Sequence, residues 1–168
     1  EYGKSYPLWF KAFGEYKLPV YIYADIVPIA IFGKNELAVR FPSVLFGTLT
    51  VLFLYLFLRN LLSFEYKTLK DKFQNIPLIS TFILAITPWR IHFSRGAYES
   101  VVSVFLFMIG CWQTTVFYKN KKIPYVVISL FFITLASYTY HSFRILTPIT
   151  ILVIFYFLLS KKYIDRKN

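Results

Sequence analysis

Long apolar runs separated by short polar breaks dominate the chain. Phe41 to Leu58 is an uncharged run of 18 residues, and Ile76 to Phe93 is interrupted only by Arg90 near its end. Ser100 to Tyr118, Ile123 to Phe143 and Ile145 to Ser160 follow, with 19, 21 and 16 residues. A helix crosses the hydrocarbon layer with about 20 apolar residues, roughly 17 to 25 being tolerated. The pattern therefore predicts five spanning helices, the last borrowing a turn from either flank. None of the runs alternates with period 2 over the length of a barrel strand, so helices are the reading. The expected fold class is all-α, a polytopic transmembrane helix bundle forming part of one domain over residues 1–168.

The first forty residues are patterned differently. LPVYIYADIVPIAIFG, 18 to 33, has 16 residues and includes Pro19, Asp25 and Pro28, so it spans poorly and reads as an interfacial helix. Before it, EYGKSYPLWFKAFGEYK has no clear period and suits an ordered loop.

Charge turns the spans into a topology. FEYKTLKDK (64 to 72), KNKK (119 to 122) and KKYIDRKN (161 to 168) are alternate loops and all basic, which assigns them to the inner side. Residues 94 to 99, residues 141 to 144 and the amino-terminal stretch are then outside. Trp89, Tyr98, Tyr118, Tyr125, Tyr140 and Tyr163 lie near the inferred boundaries, as an aromatic belt does. The net charge of +11 thus reads as topology, because Lys and Arg fall between apolar runs and not on one solvated face for nucleic acid. A hydrophobic share of 57% and a mean hydropathy of +0.55 agree with a multi-pass protein of the cell membrane. Cys111 is the single cysteine, so neither a disulfide framework nor a cysteine metal site is expected. The opening at Glu1 and the charged close suggest a piece of a longer chain.

The polar residues that a bilayer disfavours collect on the outer side. Arg90, His92, Arg95, Glu99, His141 and Arg144 fall at the outer ends of adjacent helices, with Glu15, Lys17 and Asp25 on the same side. Lys and Arg there run against the positive-inside bias. Arg95 and Glu99, at spacing i, i+4, either pair with each other or divide between a phosphate, held by the planar guanidinium, and a substrate hydroxyl or cation. Arg90 suits snorkelling to headgroups, and His92 capping or packing. YTYHSFR, 138 to 144, reads either as belt with a snorkelling Arg144 or as a sugar or phosphate subsite, with Tyr138 and Tyr140 giving flat apolar faces and His141 and Arg144 giving donors. Lys17 adds a further cation for a phosphate. Asp25 fits a polar helix face, and Gly47 in FGTLT fits close helix packing. Two histidines without a carboxylate cluster do not make a zinc site, and cofactors are left undecided, with a divalent metal ion still open. No nucleotide-binding loop, nucleophile elbow or zinc-protease motif is present.

Four stretches in order resemble one family: EYGKSYPLWFKAFGEYKLPVYIY (1 to 23), FGKNELAVRFPSVLFGTLTVL (32 to 52), TPWRIHFSRGAYES (87 to 100) and YTYHSFR (138 to 144). Together they resemble GT-C membrane glycosyltransferases of the protein O-mannosyltransferase and lipid A aminoarabinose transferase branch, particularly the prokaryotic ones. The resemblance implies transfer of a sugar from a polyprenyl-phosphate or dolichyl-phosphate donor to a protein, lipid or glycan acceptor on the outer face. It makes residues 1 to 35 the first outer loop and Phe41 to Leu62 the second transmembrane helix. It makes Glu99 and Arg95 the second-loop acid and its neighbouring cation, and Arg144 a donor-phosphate contact. It also implies a principal catalytic base upstream of Glu1. Two other classes stay open: a transporter or flippase for a lipid-linked sugar, whose site belongs near the midplane on broken helices, and a non-catalytic membrane subunit.

Overall fold

A computed structural model describes residues 7–12, 14–65 and 74–165. In chain order its elements are β1 (Phe10–Ala12), β2 (Glu15–Lys17), α1 (Pro19–Phe32), α2 (Glu36–Glu65), α3 (Ile76–Ile86), α4 (Pro88–Arg95), α5 (Glu99–Asn120), α6 (Ile123–Ser137) and α7 (Phe143–Asp165). This is an all-α membrane helix bundle carrying one small hairpin. By length and composition, α2 and α5 are able to cross a membrane, and the bent pair α3–α4 makes a third span if counted as one. The helix α6 and the apolar part of α7, Phe143–Tyr156, are shorter. Of the expected inner loops, 66–72 and the last three residues of the chain lie outside the described residues.

Local chemistry sets each boundary. Asn35 caps α2: its Oδ1 accepts from the Ala38 N–H at 2.8 Å, while its Nδ2 donates to the Phe32 carbonyl at 2.7 Å. The helix consequently begins at Glu36, earlier than the apolar run, and Pro42 falls inside it and not in its first turn. A proline there withholds a ladder hydrogen bond. The Tyr21 hydroxyl of α1 donates to the carbonyl of Val39 in the same first turns of α2, at 2.9 Å.

Two of the expected spans are divided. Between α3 and α4 the chain bends by 58°, because Pro88 has no N–H and holds Thr87 extended, at φ −63° and ψ 120°. The run Ile123 to Phe143 ends its helix at Ser137, turns through 138–142 and restarts at Phe143. Hydroxyl side chains take up carbonyls at that turn, Thr139 Oγ1 donating to Leu135 at 2.9 Å and Ser137 Oγ to Thr134 at 2.6 Å.

The central helix is α5, packed between α2 and α6. Val102, Phe105, Leu106 and Ile109 of α5 meet Tyr21, Ala136 and Phe143 in the core, and Phe105 stacks on Phe46 with centroids 4.8 Å apart. The α5–α6 seam is close: a Cβ on Gly110 would lie 2.5 Å from Ile133 Cγ1. Ser129 Oγ donates to the Gly110 carbonyl at 2.8 Å and lies 2.7 Å from Thr114 Oγ1. Thr147 Oγ1 ties α7 to α6 through the Ile133 carbonyl at 3.1 Å. Small residues and hydroxyls at the crossing are the usual way helices associate in lipid, where burying apolar surface gives little. Gly47 does the same between α2 and α4, with its Cβ position 2.7 Å from Ser94 Cβ, in keeping with the packing role read from FGTLT.

The amino-terminal stretch holds a hairpin that its sequence did not announce. β1 and β2 pair antiparallel, Phe10 opposite Lys17 and Lys11 opposite Tyr16, around Gly14 at φ 82°. Strands of three residues are too short to show a period of two, and so large a positive φ suits glycine.

Candidate functional site

One end of the bundle gathers the polar residues. It holds the start of α2, the α4–α5 turn, the α6–α7 turn, α1 and the hairpin. Ser43, fully buried, is the knot: its Oγ accepts from the Tyr98 N–H at 3.1 Å, lies 3.3 Å from the Tyr98 carbonyl, and is 3.1 Å from the Tyr21 hydroxyl. Burial pushes the Tyr21 phenol up to about 12, so it remains a donor at neutral pH. Tyr98 is the residue before α5, whose first residue is Glu99. The three contacts therefore fix where Glu99 begins its helix, and the Glu99 charge is close enough to contribute to the Tyr21 shift. Neither Glu99 nor Lys17 is free of partners.

Arg95 and Glu99 do not share a helix. Arg95 ends α4 and Glu99 opens α5, with Gly96, Ala97 and Tyr98 between them, so the i, i+4 helical pair, one of the two readings their spacing offered, does not form. Arg95 instead faces two cavities. One, of about 560 Å³, is lined by Arg40, Pro88, Ile91, His92, Arg95, Gly96 and Tyr98. The other, of about 530 Å³, is a mainly apolar groove between Phe32, Leu37, Phe41 and Val44, with Arg40 and Arg95 on its wall. Arg40 is ion-paired with Glu36, one turn earlier on an exposed face. Among the described residues no hydrogen bond or ion pair engages Arg95.

Arg90 does not snorkel. Its guanidinium turns inward and donates to the Gly47 carbonyl at 2.9 Å, where the α2–α4 contact is too close to leave that carbonyl to lipid. His92, set aside as a capping or packing residue, is exposed, lies edge-on to Phe93 and lines the Arg95 cavity. Asp25 is half-buried on α1 with Oδ1 buried and without a hydrogen-bond partner among the described residues, and burial raises its carboxyl from 3.8 to about 6.

Tyr138, His141 and Arg144 do converge. Together with Leu8, Trp9, Tyr16 and Leu18 they line a third cavity, of about 670 Å³. His141 Nε2 lies 3.2 Å from the Tyr16 carbonyl; a carbonyl only accepts, so Nε2 carries the proton. Lys17 closes β2 beside Leu18. No group of three His, Cys, Asp or Glu side chains that would hold a metal ion occurs among the described residues.

Residues 17–167 match the family described as dolichyl-phosphate-mannose-protein mannosyltransferase. The chain belongs to that family. Membership implies glycosyltransferase activity in a membrane, with a lipid-linked sugar as donor in general terms. No curated protein and no solved structure matches the chain. Within this mannosyltransferase framework, reading the sequence missed Arg40, Ser43, Trp9 and Tyr16. Arg40 carried a signal, being a cation at the edge of an apolar run. Ser43 carried none, since its role exists only through Tyr21 and Tyr98.

Proposed function

We propose that the chain forms part of a glycosyltransferase of the cell membrane that moves a sugar from a polyprenyl-phosphate donor of the dolichyl-phosphate type to a protein, lipid or glycan acceptor on the outer face. The observation that carries this reading is the groove shared by Arg40 and Arg95. Two guanidinium groups sit beside an apolar channel of Phe32, Leu37, Phe41 and Val44, a combination suited to a phosphate whose hydrocarbon tail stays in lipid. The basic character of the sequence at 64–72, 119–122 and 161–168 supports an outer position for this end of the bundle.

Roles follow from charge. Glu99 accepts a proton from, or orients, the acceptor hydroxyl. Arg95, with Arg40 beside it, stabilises charge developing on the departing lipid phosphate. Lys17, Arg144, His141 and Tyr138 contact phosphate and sugar from the hairpin side. Placing these groups at the membrane edge lets the sugar meet water while the prenyl chain does not leave the bilayer.

Glu99→Gln and Arg95→Ala in the full-length protein test this directly. Each is expected to lower transfer from a polyprenyl-phosphate sugar by about 100-fold or more, the usual worth of a proton-transfer or charge-stabilising group, with membrane levels unchanged. Transfer within a factor of two of wild type in both variants would return the pair to a structural role.

A further inference from the structure

The hairpin walls a cavity bordered by exposed aromatic rings. Isolated two-stranded hairpins are marginal in water, yet this one is held at both ends. The Tyr23 hydroxyl donates to the Pro7 carbonyl at 2.9 Å, and the Phe10 ring meets Tyr23 edge-on at 6.0 Å. At the other end His141 Nε2 donates to the Tyr16 carbonyl. The backbone carrying Trp9 and Tyr16 is thus fixed by α1 and by the α6–α7 turn. Their side chains are not used in packing: Trp9 is 61% exposed, Tyr16 57% and Tyr138 53%. All three rings border the 670 Å³ cavity, which lies within the roughly 300–1,000 Å³ typical of small-molecule sites.

We infer that this cavity is a pyranose subsite that takes the sugar carried by the lipid-phosphate donor, with Trp9 and Tyr16 as specificity-determining residues. The inference rests on the glycosyltransferase reading above. A pyranose ring has an apolar C–H face and a rim of hydroxyls. The first matches the flat faces of Trp9, Tyr16 and Tyr138. The second matches the Arg144 donors and, with Nε2 already committed to Tyr16, the remaining ring nitrogen of His141, which accepts when the ring is neutral. The groove at Arg40 and Arg95 differs in charge: it sets two guanidinium groups beside the apolar walls of Phe32, Leu37, Phe41 and Val44, where the hairpin cavity has only that of Arg144. Sugar and phosphate would therefore be read by different walls of the same end.

That division is measurable with two ligands that differ only by the sugar. For Trp9→Ala and Tyr16→Ala in the full-length protein in proteoliposomes, the KM for mannosyl-phosphoryl-polyprenol should rise about tenfold, a loss typical of one aromatic contact. Inhibition by the same polyprenyl phosphate without its sugar should not change, and Trp9→Phe should retain near-wild-type KM. A common rise in both constants would overturn the inference by making the rings a lipid or phosphate contact. So would an unchanged KM accompanied only by lower membrane yield, the behaviour of belt residues. A wild-type protein that transfers nothing from any polyprenyl-phosphate sugar would instead overturn the glycosyltransferase reading, and the subsite with it.

Discussion

The α5–α6 seam and the polar end of the bundle both place hydroxyls and charges where lipid would exclude them, and they handle them in opposite ways. In the seam the hydroxyls close on neighbours: Ser129 reaches the Gly110 carbonyl and Thr114, and beside it Thr147 of α7 reaches Ile133 of α6. At the end, Arg95 and Arg40 border open cavities, and Trp9, Tyr16 and Tyr138 show their faces to a third. Polarity satisfied inside the bundle holds helices together, whereas polarity left facing space is available to a ligand. Ser43 belongs to both regions, since its hydrogen bonds are internal but what they position is the start of α5.

The contrast predicts different kinds of damage. The largest structural effect should come from Gly110→Val, because even a Cβ there sits 2.5 Å from Ile133. Overpacking of this sort costs about 2–3 kcal/mol, seen as a lower unfolding temperature in detergent with activity falling in parallel to folded protein. Ser43→Ala should act across the two regions. It leaves the Tyr98 N–H without its acceptor, at a cost of about 1 kcal/mol in stability, and should lower kcat about tenfold with little change in donor KM. A proportional loss of kcat and folded protein would place Ser43 wholly in the structural class.

The smallest effect concerns pH. Asp25 has its folded carboxyl raised from 3.8 to about 6 by burial, so the folded state holds its proton more tightly than the unfolded one. Its contribution to stability is complete below pH 3.8 and is lost as pH rises through about 6. Unfolding temperature measured across that window should decline in wild type more than in Asp25→Asn; parallel curves would show that the carboxyl is effectively solvated.

Much of the architecture was legible from hydropathy. The helices α2 and α5, the short helix at 18–33 and the KNKK link were all visible as apolar runs and their interruptions, because a bilayer demands length and apolarity above all. The breaks at Thr87 and at 138–142 were not, since a hydropathy run registers burial in lipid and is blind to where a backbone turns inside it. Pro88 was the available signal for the first. For the second, hydroxyl residues that bond back to carbonyls decided the ending.

The candidate site divides along the same line. Arg95, Glu99, His141 and Arg144 were identifiable because charged and polar residues at predicted outer ends run against a strong compositional rule, one that acts on each segment separately, and Tyr138 because it stands beside two of them. Which of them share a cavity was a matter of tertiary structure. The bend at Thr87 and the turn before α5 separate Arg95 from Glu99 and turn Arg95 toward Arg40, while His141 meets a strand carbonyl 125 residues away. Spacing along a chain fixes neighbours only within one element; between elements, proximity follows from helix crossings, here set by Gly47 and Gly110, whose missing Cβ atoms let the helices approach closely enough to assemble this end of the bundle.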